Sequence, residues 1–202
     1  MKQKNIIQLL EKPIKNYVKN MINHPLHKAV ADIFDDIKGK FNFSYFEILK
    51  DEACGGNKHL PFFLNFKPSR DSAVSNVDLM ILKNNKVKLV CEIEESGFNP
   101  TKIFGKIFST ASAKVCRLYE NQNHRYLDFD NNAIFLQIIC NESFQENSLK
   151  EQQGMIIENE INSKLINYNS WIKKYRLIYG NVADAKPNGE LYKELERIIK
   201  SL

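Results

Sequence analysis

The sequence predicts a mixed α/β protein, a β-sheet of about five strands flanked by helices. Three observations predict it. Two apolar runs, Val77–Leu82 and Val87–Ile93, flank the polar break Lys83-Asn84-Asn85-Lys86 and read as a β-hairpin. Asn99-Pro100 then supplies a helix start, followed by Ile103, Phe104, Ile107, Ala111, Val115 and Leu118 at helical spacing. Further on, the run Ala133–Cys140 reads as a buried strand between polar segments.

The elements follow in order. Residues 3–20 form an amphipathic helix with an irregularity at Pro13, and this N-terminus lacks the small-residue cleavage site of a signal peptide. After His24-Pro25, residues 26–38 form a second helix with Leu26, Val30, Ile33, Phe34 and Ile37 on one side, ended by Gly39. Phe41–Leu49 reads as a strand, Gly55-Gly56-Asn57 as a turn and Leu60–Phe66 as another strand. The hairpin comes next, then a helix over 100–120 and a polar loop. Beyond the 133–140 strand, residues 148–166 form an amphipathic helix, Trp171–Tyr179 a strand and 189–201 a last helix. No repeat or Gly/Ser/Pro-rich linker divides the chain, so residues 1–202 read as one domain.

Composition narrows the class. Of 202 residues, 43% are hydrophobic, including 13 Phe and 8 Tyr, which is apolar area enough for a folded core. No apolar run approaches the roughly 18 residues of a membrane span. Cys54, Cys91, Cys116 and Cys140 form no C-x-x-C pair and read as free thiols of a reducing cytoplasm. His24, His27, His59 and His124 show no metal-ligand spacing and no mutual relation. The net charge of +5 is compatible with a polyanionic partner without demonstrating one.

The chemistry lies in the acids of the hairpin. Asp78 begins its first strand, and Glu92 and Glu94 close its second. With the turn at 83–86, residue 78 falls opposite about residue 91, which brings Asp78 beside Glu92. Glu92 and Glu94 are two apart and share a face, while Ile93 points away. Three acids at one sheet end are unfavourable if buried without a cation. Their hard oxygens suit Mg²⁺, with Mn²⁺ as a substitute. Such an ion polarises a phosphate oxygen and acidifies a bound water, so the expected reaction is phosphodiester hydrolysis. Glu95 reads as an acid pointing away from Glu94 or serving the loop.

Asp78, thirteen intervening residues, Glu92-Ile93-Glu94 and a following helix together resemble the PD-(D/E)xK nuclease superfamily, in its E-x-E variant as in BamHI-like type II restriction endonucleases. The resemblance covers about 40–120 at motif level and about 40–180 through element order. It implies a restriction-endonuclease-like sheet, with Asp78, Glu92 and the carbonyl of Ile93 as metal ligands. Two departures stand out. Asn76-Val77-Asp78 replaces Pro-Asp, and Glu94 occupies the position of the motif lysine. Glu94 then serves as a further ligand or as the base for the attacking water. The lysine role moves to the helix, where Lys102 and Lys106 lie four apart on one face, Lys106 being preferred. The superfamily often adds an upstream acid, for which Asp32, Asp35, Asp36 and Glu47 are candidates.

The resulting expectation is a Mg²⁺-dependent endodeoxyribonuclease acting on double-stranded DNA, a type II restriction endonuclease working as a homodimer with no membrane partner. The alternatives are a repair, recombination or junction-resolving nuclease of the same fold, or a nucleic-acid-binding module that has lost catalysis.

Overall fold

The computed structural model describes residues 24–120, 122–166 and 170–202. The expected helix over 3–20 lies outside them. The elements in chain order are α1 (Pro25–Lys40), β1 (Phe46–Lys50), β2 (Pro61–Phe63), β3 (Ala73–Asn76), β4 (Leu79–Lys83), β5 (Lys86–Glu94), α2 (Pro100–Ala111), β6 (Val115–Glu120), β7 (Asn123–Cys140), α3 (Lys150–Glu160), β8 (Ile172–Gly180) and α4 (Glu190–Lys200). All eight strands belong to one mixed, open sheet, ordered β1-β4-β5-β7-β6-β2-β3 with β8 also paired to β7.

Five of the expected strands correspond to β1-β4-β5-β7-β8, antiparallel from β1 to β5 and parallel from β5 through β7 to β8, and the expected strand over Leu60–Phe66 contains β2. The sheet has eight because β2, β3 and β6 extend it beside the first half of β7. Two misreadings hid this extension. The helix expected over 100–120 ends at Ala111, where the Ser109 hydroxyl donates to Gly105 O at 2.8 Å and the Ser112 hydroxyl to Phe108 O at 2.8 Å, turning helix carbonyls toward side chains. Lys114 N then donates to Phe63 O at 2.8 Å, and Val115–Glu120 continues as a strand. The polar loop expected before residue 133 is the first half of β7, its polar residues pairing with β6.

Alternation sorts the core into two layers. Leu79, Ile81, Leu89, Cys91 and Ile93 join one cluster with Val30, Ile33 and Phe34 of α1 and Leu195 and Ile199 of α4. Met80, Leu82, Val90 and Phe135 join the other with Ile103 and Ile107 of α2 and Ile157 of α3. From Val90 onward, even-numbered residues of β5 therefore face α2, the helix that carries Lys102 and Lys106. Burying an aliphatic side chain of this kind stabilises by roughly 1.5–3 kcal/mol, which holds the sheet end rigid.

The β4–β5 hairpin turns through Asn84 and Asn85 at φ 52° and 62°, the left-handed pair a tight hairpin needs and asparagine tolerates. Its register is not regular. Leu82 pairs with Val87 but Ile81 with Leu89, so Lys88 is an extra, bulged residue. The bulge moves the pairing by one. Leu79 meets Cys91, and the same register continued one residue outward sets Asp78 against Glu92 rather than residue 91. Among the described residues, no helix is long and apolar enough to cross a membrane.

Candidate active site

Three segments meet at one end of the central strands. Asp78 immediately precedes β4, and its Oδ2 accepts from Ile93 N at 2.7 Å, which fastens it to the end of β5. Glu92 is 2% exposed and faces α2. Lys106, one and a half turns into α2, puts its Nζ 2.7 Å from Glu92 Oε2. Asn99 sets the start of this helix, its Oδ1 accepting from Lys102 N at 3.2 Å.

The electrostatics follow from burial and crowding. Burial, reinforced by the Asp78 charge, pushes Glu92 up to about 8 against the pull of Lys106. Its Oε1 is buried with no hydrogen-bond partner. Burial also opposes the charge of Lys106, but Glu92 and then Asp78 and Glu94 outweigh it and raise its pKa. One ammonium thus faces all three expected carboxylates. Glu94 is more open. Burial opposes its charge, yet Ser96 N at 3.0 Å, the Ser96 hydroxyl and Lys102 Nζ at 3.4 Å hold it below the usual carboxylate range.

The carboxyl oxygens of Asp78, Glu92 and Glu94 do not all come within 4.8 Å of one another. Asp78 and Glu92 form the tight pair, and Glu94 stands at the rim beside Lys102. The upstream acids are tied elsewhere. Asp32 pairs with Lys28 at 3.3 Å, Asp35 with Lys50 at 2.6 Å, Asp36 accepts from the Tyr192 hydroxyl, and Glu47 is gripped by Arg125 at 2.8 and 2.9 Å. Arg176 of β8 is engaged by Glu158 at 3.3 Å and Glu194 at 2.9 Å.

Sequence reasoning missed three neighbours. His27 Nε2 lies 3.5 Å from Asp78 Oδ2, so the helix before the sheet contributes an imidazole where an acid was sought. Burial opposes its charge, but Asp78 and Glu95 raise its pKa to about 8. Asp51 follows β1, donates its backbone N–H to Asp78 O at 2.9 Å, and is raised by burial. Gln137 of β7 pairs in register with Glu92 and accepts from the Tyr175 hydroxyl at 2.9 Å. Glu95 does turn away from Glu94, and its Oε1 caps α1, accepting from Leu26 N at 2.7 Å and His27 N at 3.1 Å.

These shifts fix a pH dependence. Glu92 is raised above its usual 4.5, so its contribution to metal-free stability is lost as pH climbs from there through about 8. The His27 ion pair is fully present below 6.5 and is also lost as pH rises through about 8. Thermal melts in chelator are expected to show stability falling between about pH 5 and 8. A flat or rising profile contradicts the assigned environments.

No protein-family model matches the chain, and neither the curated proteins nor the solved structures contain a match. The functional reading therefore stands on the geometry of these residues.

Proposed function

We propose that this chain is a divalent-metal-dependent DNA endonuclease in which Asp78 and Glu92 hold Mg²⁺, or Mn²⁺ in its place. The observation that carries the reading is Glu92: 2% exposed, paired on one oxygen with Lys106 at 2.7 Å, and crowded by the Asp78 carboxyl with no N–H or hydroxyl donor on the other. A buried carboxylate crowded by a second acid and left with an unsatisfied oxygen is unfavourable unless a cation joins it. The all-oxygen donor set of Asp78, Glu92 and the Ile93 carbonyl fits a hard ion. When bound, that ion supplies Lewis-acid polarisation of a phosphate oxygen and a more acidic water.

The protein's own groups divide the remaining work. Glu94, held ionised by Ser96 and Lys102, is the base that takes a proton from the attacking water. Lys106 neutralises charge developing on the scissile phosphate, and Lys102 lies one turn back on the same helix face. His27 orients Asp78 from behind. The reading extends to a type II restriction endonuclease that cuts both strands of duplex DNA as a homodimer. The net charge of +5 and four free cysteines agree with a DNA partner in the cytoplasm.

The test is plasmid cleavage titrated with Mg²⁺ and Mn²⁺, with chelator as the metal-removal control and Asp78→Ala alongside. Wild type is expected to give discrete fragments that vanish in chelator, and the variant to lose about a thousandfold in rate. Discrete fragments distinguish a restriction enzyme from a repair or junction nuclease. Absence of metal-dependent cutting under every condition, or undiminished cutting by the variant, overturns the proposal.

A further inference from the structure

On the other side of His27 lie two residues that the nuclease reading does not use, His24 and Glu95. His24 precedes α1, His27 is in its first turn, and Glu95 follows β5, so residues nearly seventy positions apart converge. His27 Nδ1 is 3.1 Å from Glu95 Oε1, and His24 Nδ1 is 3.6 Å from Glu95 Oε2. The two imidazole rings meet edge to face with centroids 4.9 Å apart. One ligand atom from each of the three residues lies within 4.8 Å of the other two.

We propose that His24, His27 and Glu95 form a second metal site, specific for a borderline divalent transition ion such as Zn²⁺. The donor chemistry selects the ion. Two imidazole nitrogens and one carboxylate oxygen suit Zn²⁺, Co²⁺ or Ni²⁺, whereas Mg²⁺ and Ca²⁺ take all-oxygen sets. The donors lie within 4.8 Å of one another, and a small closing movement brings them to the roughly 3.3–3.6 Å that bonds of about 2.0–2.2 Å set between tetrahedral neighbours.

The surroundings are those of a supported site. Glu95 Oε1 is occupied by the amides of Leu26 and His27, which fixes the carboxylate and leaves Oε2 directed at His24. His27 turns its other nitrogen to Asp78 Oδ2 at 3.5 Å, the outer-shell carboxylate that orients a ligating imidazole. The side chain of His24 is 53% exposed, so the ion reaches the site from solvent and keeps an open position for water. Binding there clamps the start of α1 to the end of β5, directly behind Asp78. The proposal uses none of the nuclease carboxylates as inner ligands and does not depend on catalysis.

The experiment is a Co²⁺ titration of the full chain in excess Mg²⁺, read by ligand-field absorption, with Zn²⁺ displacement and thermal melts. Wild type is expected to develop a one-equivalent band that Zn²⁺ removes, and to melt higher with Zn²⁺. His24→Ala, a change at an exposed side chain, abolishes the band and the thermal shift while folding normally. Glu95→Gln, which keeps an oxygen for the amides, weakens both at least tenfold. Glu92→Ala retains the band. No band in wild type, an undiminished band in His24→Ala, or loss of the band in Glu92→Ala instead overturns the site.

Discussion

Glu92→Gln is expected to leave a folded protein that no longer cuts DNA. The substitution keeps the shape of the side chain but removes the charge that a hard cation needs, and cleavage should fall on the order of a thousandfold in both Mg²⁺ and Mn²⁺. Stability should move the other way. Burial and the Asp78 charge push Glu92 up to about 8, so at alkaline pH the wild-type chain holds an ionised, half-satisfied carboxylate in its interior. The amide removes that strain, and the variant should melt higher than wild type near pH 8 in chelator, losing part of the falling pH profile. Cleavage assays and melts on the same sample check both halves. Retained cutting removes Glu92 from the site. Lost cutting with a collapsed fold shows that Glu92 is structural.

Lys106→Met should separate chemistry from metal binding. The ammonium is 2.7 Å from Glu92 Oε2 and the side chain is 41% exposed, so it can reach a phosphate as well as its partner. Methionine fills the stem and keeps the packing of α2 while removing the charge. The rate of cleavage should drop about a hundredfold to a thousandfold, as for loss of one preorganised electrostatic group. Mn²⁺ affinity should be kept or strengthened, since a repelling cation has left the site. The variant should also lose about 1–3 kcal/mol of metal-free stability, because Glu92 is left without its cationic partner. Calorimetric Mn²⁺ titration beside single-turnover cleavage distinguishes the outcomes. Parallel loss of binding and cleavage makes Lys106 a structural counter-ion only.

The hairpin and its acids were legible because they rest on local signals. Strand alternation, a two-asparagine turn and an Asn-Pro helix start sit within about twenty-five residues, and each constrains the next. The bulge at Lys88 was not legible, since nothing in an alternating run marks which residue is extra. It nevertheless decides that Asp78 meets Glu92. The strand β6 was hidden because Val115 and Leu118 continue the helical spacing of α2, and only pairing with β2 and β7 makes that segment extended. The upstream contributor was sought among acids, whereas the α1 side chain that reaches Asp78 is His27, at 3.5 Å. Its role depends on α1 abutting the end of the sheet, a tertiary fact with no local trace beyond two histidines three apart at a helix start.

A divalent ion between Asp78 and Glu92 underlies all of this chemistry. Anomalous difference density from crystals grown with Mn²⁺ would locate it. A peak is expected flanked by the Asp78 carboxylate and Glu92 Oε1, the oxygen that otherwise lacks a donor. Mn²⁺ bound elsewhere on the protein, with no peak between these two side chains, would contradict it.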